Sequence, residues 1–223
     1  NAQNTVNVSI EKLKFDQNGM NNQIALSEIS YDGGAVVETS VRQIFAFSGA
    51  TRFMVDQCTF DNVLGVWVIF NSSGADGTIT NNICQNVGGG SYDFDVSVFY
   101  TDCDRALLSG NTISGRSIGA KATRTALEIH GNDQTVTNNI INSMLVGINI
   151  VGDNNNAGAT AASRQSFTNN VMNNVYNGFE LWTYAPLNDV LVDNNQINLN
   201  IDQFFYAGLP AFAAGEYAAS FGI

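Results

Sequence analysis

Thr135-Val136-Thr137-Asn138-Asn139-Ile140-Ile141-Asn142 decides how the rest of the chain reads, because its pattern returns along the sequence. Aligned on the second Asn, the copies are Ile79-Thr80-Asn81-Asn82-Ile83-Cys84, Leu108-Ser109-Gly110-Asn111-Thr112-Ile113, Phe167-Thr168-Asn169-Asn170-Val171-Met172 and Val192-Asp193-Asn194-Asn195-Gln196-Ile197. An earlier copy, Val55-Asp56-Gln57-Cys58-Thr59-Phe60, carries Cys58 where the others have Asn. Each runs apolar, small polar, turn residue, Asn, any residue, apolar. Positions 58, 82, 111, 139, 170 and 195 are separated by 24, 29, 28, 31 and 25 residues. A unit recurring at that length marks a stacked repeat architecture.

Within a unit, the residues three before and two after the Asn form two apolar columns: Val55, Ile79, Leu108, Val136, Phe167, Val192, and Phe60, Cys84, Ile113, Ile141, Met172, Ile197. Both read as core. The bend between them carries Asn, which tolerates the left-handed backbone region better than most residues. Stacked Asn amides can also hydrogen-bond along the stack. Each unit is therefore short strand, Asn bend, short strand, stacked at roughly 4.8 Å. A polar low-complexity tract would not hold two apolar columns in phase through six copies.

At 223 residues, about eight such units use nearly all of the chain, so one domain is expected over 1–223. Residues 1–42 would be irregular first turns, 43–200 regular turns, and 201–223 a C-terminal end or cap. The apolar first strand (Val6, Val8, Ile10) has no polar cap ahead of it, and the chain opens at Asn1 without Met, so a fragment of something longer is expected. Apolar residues are 44% and charged residues 13% of the chain, a balance that suits a solenoid with a neutral polar surface and excludes a disordered chain. Formal net charge is −11, with Lys and Arg totalling 9, so neither nucleic acid nor anionic lipid is an expected partner. No run of 18 apolar residues occurs, so no helical membrane insertion is expected. Of the three cysteines, Cys58 and Cys84 read as small buried residues, and no zinc-type spacing is present.

A third strand precedes each Asn motif: residues 66–70, 96–99, 127–130, 148–151 and 179–182, with Ala126, Gly147 and Gly178 just ahead of three of them. Gly-, Ala-, Ser- and Asn-rich insertions at 88–95, 116–124 and 153–164 read as loops walling one face. Taken together, these copies resemble the right-handed parallel β-helix proteins of the pectate-lyase-like superfamily, including phage tailspike depolymerases. The resemblance covers about residues 43–200. It implies an all-β right-handed parallel β-helix of about seven to eight turns, with three parallel sheets and an Asn ladder at one bend. It also implies a groove for polysaccharide over one sheet, an extracellular or virion-surface location, and, by analogy with tailspikes, a homotrimer.

Chemistry is expected on the outward face of the third strand. Alternation puts Trp67, Ser97, Glu128, Asn149 and Glu180 on one column and Ile69, Phe99, His130, Val151 and Trp182 on the next. Glu128 and Glu180 then lie two rungs apart, about 9–10 Å at roughly 4.8 Å per rung, near the roughly 6.5–9.5 Å of an inverting glycosidase. They are the candidate acid and base. His130, Asn149, Trp182, Arg124, Trp67 and Tyr184 are the candidate sugar-binding residues, since flat aromatic rings suit a pyranose face. Tyr92 and Tyr100 would border the groove. Asp93, Asp95, Asp102 and Asp104 could hold Ca²⁺, or supply an acid to the same groove; no other metal or cofactor is expected. Elimination on a uronate would need cations such as Arg105, Lys121 and Arg124, and the acidic balance favours hydrolysis of a neutral substrate. The rivals are a polysaccharide lyase and a non-catalytic adhesin or structural spike module.

Overall fold

The computed structural model describes residues 2–3, 6–17, 30–32, 35–37, 44–63, 67–87, 97–115, 125–152, 162–182 and 185–199. Among them the chain is a coil of parallel strands, three to a rung. The rung of the opening motif consists of Thr125–His130, then Thr135–Thr137 before the Asn bend and Ile140–Asn142 after it. Each strand pairs in parallel with its counterpart one rung away: Leu127 opposite Phe99 and Ile148, Val136 opposite Leu108 and Phe167, Ile141 opposite Ile113 and Met172. The strands after the bend form a 7-stranded sheet. The other two columns join into a 13-stranded sheet through Phe45–Asp56, a 12-residue strand that serves both.

The all-β parallel helix expected from the sequence is thus the fold, with one correction of length. Five rungs, those beginning at Phe45, Ile69, Ser97, Thr125 and Val146, have a paired neighbour on both sides in all three columns. The rungs beyond them are incomplete or paired on one side only, so the regular body, from the Phe45 rung to the Val146 rung, is about four turns rather than seven or eight. Ala35–Val37 is a strand, but it pairs antiparallel with Ser30–Asp32 rather than joining the coil. The cap expected at 201–223 lies outside the described residues, as do the insertions at 88–95 and 116–124 and all but the end of the one at 153–164.

Both apolar columns face the interior. Val55, Ile79, Leu108, Val136 and Phe167, and Phe60, Cys84, Ile113, Ile141 and Met172, are buried in one core cluster, while Val192 and Ile197 on the last rung are only half-buried. Burying each such Ile, Leu or Phe contributes about 1.5–3 kcal/mol. All three cysteines are free and buried. Burial pushes the Cys84 thiol well up and raises Cys103 to about 12.

The Asn bend divides its work between two residues. The residue before the ladder Asn takes the left-handed conformation, with φ of 53° at Gln57, 54° at Asn81, 69° at Gly110, 57° at Asn138 and Asn169, and 52° at Asn194. That frees the ladder Asn to turn inward. Asn111 Nδ2 donates to Ile79 O at 2.8 Å on the rung behind and to Asn139 Oδ1 at 2.9 Å on the rung ahead, and the Asn111 backbone N–H donates to the same Oδ1 at 3.1 Å. The pattern repeats at Asn82, Asn139 and Asn170, ending at Asn195. Cys58 starts the ladder: its backbone N–H donates to Asn82 Oδ1 at 2.9 Å, and its Sγ lies 3.7 Å from Ile10 O, the counterpart of the carbonyl that Asn takes elsewhere.

A second ladder, unread in the sequence, lies six residues ahead of the first. Register places Arg52, Asp76, Arg105, Asp133, Arg164 and Asp189 one above another at a second left-handed bend, with φ between 54° and 58° at all six. Charge alternates at every step. Arg105 Nε donates to Asp76 at 2.7 Å, Arg164 Nη2 donates to Asp133 at 2.8 Å, and Arg52 Nε donates to Asn7 at 2.7 Å.

Candidate polysaccharide-binding face

The third strands are Ile69–Ala75, Ser97–Asp104, Thr125–His130, Val146–Val151 and Asn177–Trp182. In the first two rungs they run further along the chain than the apolar stretches 66–70 and 96–99. Ile69 and Phe99 point inward and are fully buried, opposite Leu127. Next to them on the inner face sit Asn71 and Thr101, polar residues at 0% exposure in register with Ile129. Those two interior polar residues are why apolar patterning put the strands three residues too early.

The outer columns shift accordingly. Phe70 and Tyr100, rather than Trp67 and Ser97, stand in line with Glu128, Asn149 and Glu180. Ser72 and Asp102, rather than Ile69 and Phe99, stand in line with His130, Val151 and Trp182. From the Thr125 rung onward the columns match the alternation expected.

Glu128 is the best-defined member of the face. Its Oε2 accepts from Ser97 Oγ at 2.9 Å and its Oε1 lies 3.0 Å from His130 Nε2. The His130 ring packs 4.7 Å from the Tyr100 ring, Tyr100 stacks 4.8 Å from Phe70, and Phe70 lies 4.7 Å from Trp67. The aromatic run therefore leads from Trp67 along the axis to the imidazole. Asp102 is paired across the strands with His130, so carboxylates lie on two sides of that ring. Asn149 sits between Glu128 and Glu180 in register, and neither of its side-chain amide atoms has a hydrogen-bond partner. Glu128, His130, Asn149 and Glu180 are 3%, 2%, 1% and 5% exposed, so the column is closed to bulk water.

No family model matches the sequence, and no curated protein matches it significantly. Solved structures do. A double mutant of the tailspike protein of E. coli bacteriophage HK620 in complex with a pentasaccharide superposes with a TM-score of 0.68 at 21% identity, covering 85% of this chain and 32% of that one. Another mutant of that tailspike, in complex with a hexasaccharide, gives a TM-score of 0.66 at 20% identity over the same shares. The fold is a parallel β-helix similar to that of the tailspike. The chain spans about a third of the tailspike chains it matches, and at this identity the likeness is one of fold.

Within this β-helix, the residues proposed from sequence separate into two groups. Glu128, His130, Asn149, Glu180 and Trp182 share one sheet face, and Trp67 reaches it through Phe70 and Tyr100. Arg124, Tyr184, Tyr92, Lys121, Asp93 and Asp95 lie outside the described residues. Arg105 is not on the face: it is held in the charged ladder by Asp76. Asp104 accepts from the Asn132 backbone N–H at 3.0 Å and from its side chain at 3.1 Å. Among the described residues no group of His, Cys, Asp and Glu could hold a metal ion. Phe70, Tyr100 and Asp102 were missed as members of the columns; each is the immediate neighbour of the inward Asn71 or Thr101, and only reading those polar residues as inward would have found them.

Proposed function

We propose that this chain is the β-helical part of a virion-surface or extracellular protein that binds polysaccharide and cleaves it by hydrolysis, with Glu128 and Glu180 as acid and base. One observation carries the reading: Glu128, Asn149 and Glu180 are Cα-paired in a single column, so the two carboxylates are two rungs apart. At roughly 4.8 Å per rung their backbones are about 9–10 Å apart, close to the roughly 6.5–9.5 Å carboxyl separation that inversion uses. Phe70, Tyr100 and Trp67 extend the face toward the N-terminal rungs as an aromatic track suited to further sugar units. His130, hydrogen-bonded to Glu128, fixes that carboxylate, and Asp102 opposite adds a third acidic group. Trp182, Arg124 and Tyr184 are assigned to the sugar as well. Assembly as a homotrimer is part of the same proposal.

Burial of the column favours one rival. A closed row of polar side chains on a sheet also serves as internal support, as the Asn ladder does, and would make the chain a non-catalytic spike or adhesin module. Reducing-end release from neutral and acidic polysaccharides, followed together with absorbance of unsaturated uronate, separates these. Release without the chromophore, lost in Glu128→Gln and Glu180→Gln, is expected. Release with the chromophore would make the protein a lyase, and silence with retained binding would make it an adhesin.

A further inference from the structure

Asn149 stands at the centre of this face with its whole carboxamide unused. It is 1% exposed, yet both its Nδ2 and its Oδ1 lack a partner among the described residues. The Glu128 oxygens beside it engage Ser97 and His130 instead. A buried carboxamide left unpaired is costly, and such groups are rare in native proteins unless a ligand or water completes them. Accepting the polysaccharide-binding role proposed above, we propose that Asn149 reads a pair of vicinal hydroxyls on a neutral sugar ring lodged between Glu128 and Glu180, and so sets which glycans bind.

The chemistry narrows the ligand in three steps. A primary carboxamide presents one acceptor and a donor side by side, so it is satisfied by two adjacent groups that can respectively donate and accept. Two neighbouring hydroxyls do both, because each carries one O–H and two lone pairs. A sugar acetamido group is a trans secondary amide whose N–H and C=O point in opposite directions, so one carboxamide meets only one end of it. A uronate carboxylate accepts but cannot donate, would leave Oδ1 unpaired, and would stand between two more carboxylates, where like charges repel. The closed setting sharpens the choice, since a ligand lacking the hydroxyls leaves a dry polar group unmet.

The test uses the whole chain and an array of neutral bacterial O-polysaccharides, each immobilised intact and after periodate oxidation, which cleaves vicinal diols. Binding is measured for the wild type, Asn149→Leu, and Glu128→Gln as a cleavage-blocked control. The expected result is binding of at least one intact glycan by the wild type and by Glu128→Gln, weakened roughly 10- to 100-fold in Asn149→Leu. Wild type and Asn149→Leu should then bind the oxidised glycan equally weakly, the signature of one shared contact. Because the amide has no partner among the described residues, Asn149→Leu should leave Tm unchanged or raise it. Equal binding of the intact glycan by wild type and Asn149→Leu would overturn the assignment while sparing the wider reading. A loss in Asn149→Leu that persists on the oxidised glycan would overturn the diol. A fall in Tm of more than about 5 °C would show a structural role and overturn the assignment too. Failure of the wild type to bind any member of the array would overturn the polysaccharide-binding role itself.

Discussion

Asn139 makes four hydrogen bonds through one carboxamide. It donates to Leu108 O and Asn170 Oδ1 and accepts from the backbone and side chain of Asn111, at 0% exposure. Truncation leaves partners on both neighbouring rungs buried and unmet, so Asn139→Ala should cost about 3–5 kcal/mol in urea unfolding. Asn195, half-buried at the end of the ladder, should lose less than about 2 kcal/mol on the same change, because water can reach its partners. Equal losses at the two positions would show that ladder bonds, rather than their burial, set the energy. Cys58 marks where the ladder can tolerate a weaker donor, since the rung behind it offers a carbonyl and no further Asn. Glycine has a different task at Gly147, where a Cβ would come within 2.7 Å of Gly178 O, so close packing between rungs and not a turn excludes a side chain there.

Among the elements, the Arg and Asp ladder answers to pH. The Arg105 hydrogen bond holds the Asp76 carboxyl below its ordinary value of 3.8, and the Arg164 hydrogen bond does the same for Asp133. A depressed folded-state value means the contribution is complete above 3.8 and is lost as pH falls through the lower, folded value. The Tm gap between wild type and the double variant Asp76→Asn, Asp133→Asn should therefore close as pH is lowered from about 5 to about 2, and should narrow with salt because the pairs are exposed. A gap independent of pH would mean the bends need the side-chain shape and not the charge. This ladder was legible. Positions 52, 76, 105, 133, 164 and 189 repeat the spacings of the Asn column, 24, 29, 28, 31 and 25, but charge was not read for period. The strands around the Asn bend were also legible, since each buries one apolar residue at a fixed distance from the Asn. The third strand was legible only where its inner positions are apolar, as at Leu127 and Ile129, and slipped where Asn71 and Thr101 turn inward. Glu128, Asn149, Glu180 and His130 could thus be aligned from sequence, while Phe70, Tyr100 and Asp102, which depend on the slipped register, could not.

Over the whole molecule, stability should fall from the middle rungs to the ends, because each rung is held mainly by its nearest neighbours. Leu181, Leu191 and Leu199 of the last rung are 46%, 53% and 46% exposed, whereas Ile113 and Ile141 in the body are at 0%. Hydrogen exchange should then be slowest at the Ile113 and Ile141 amides and fastest at those of Gln196–Leu199; a flat profile would mean that the rungs open together. The near-constant rung length also bears on how the coil assembles. Each step from one ladder position to the next closes a loop of 24 to 31 residues, and the entropy of closing the longest exceeds that of the shortest by only about 0.2 kcal/mol. Chain connectivity therefore gives no rung a head start. The choice falls to side chains, and the densest aromatic packing, Phe15 on Phe60 at 5.4 Å and Phe47 on Phe53 at 4.6 Å, lies toward the N-terminal rungs. A nucleus there would let later rungs zip on in the order in which a ribosome delivers them, each new turn templated on the last.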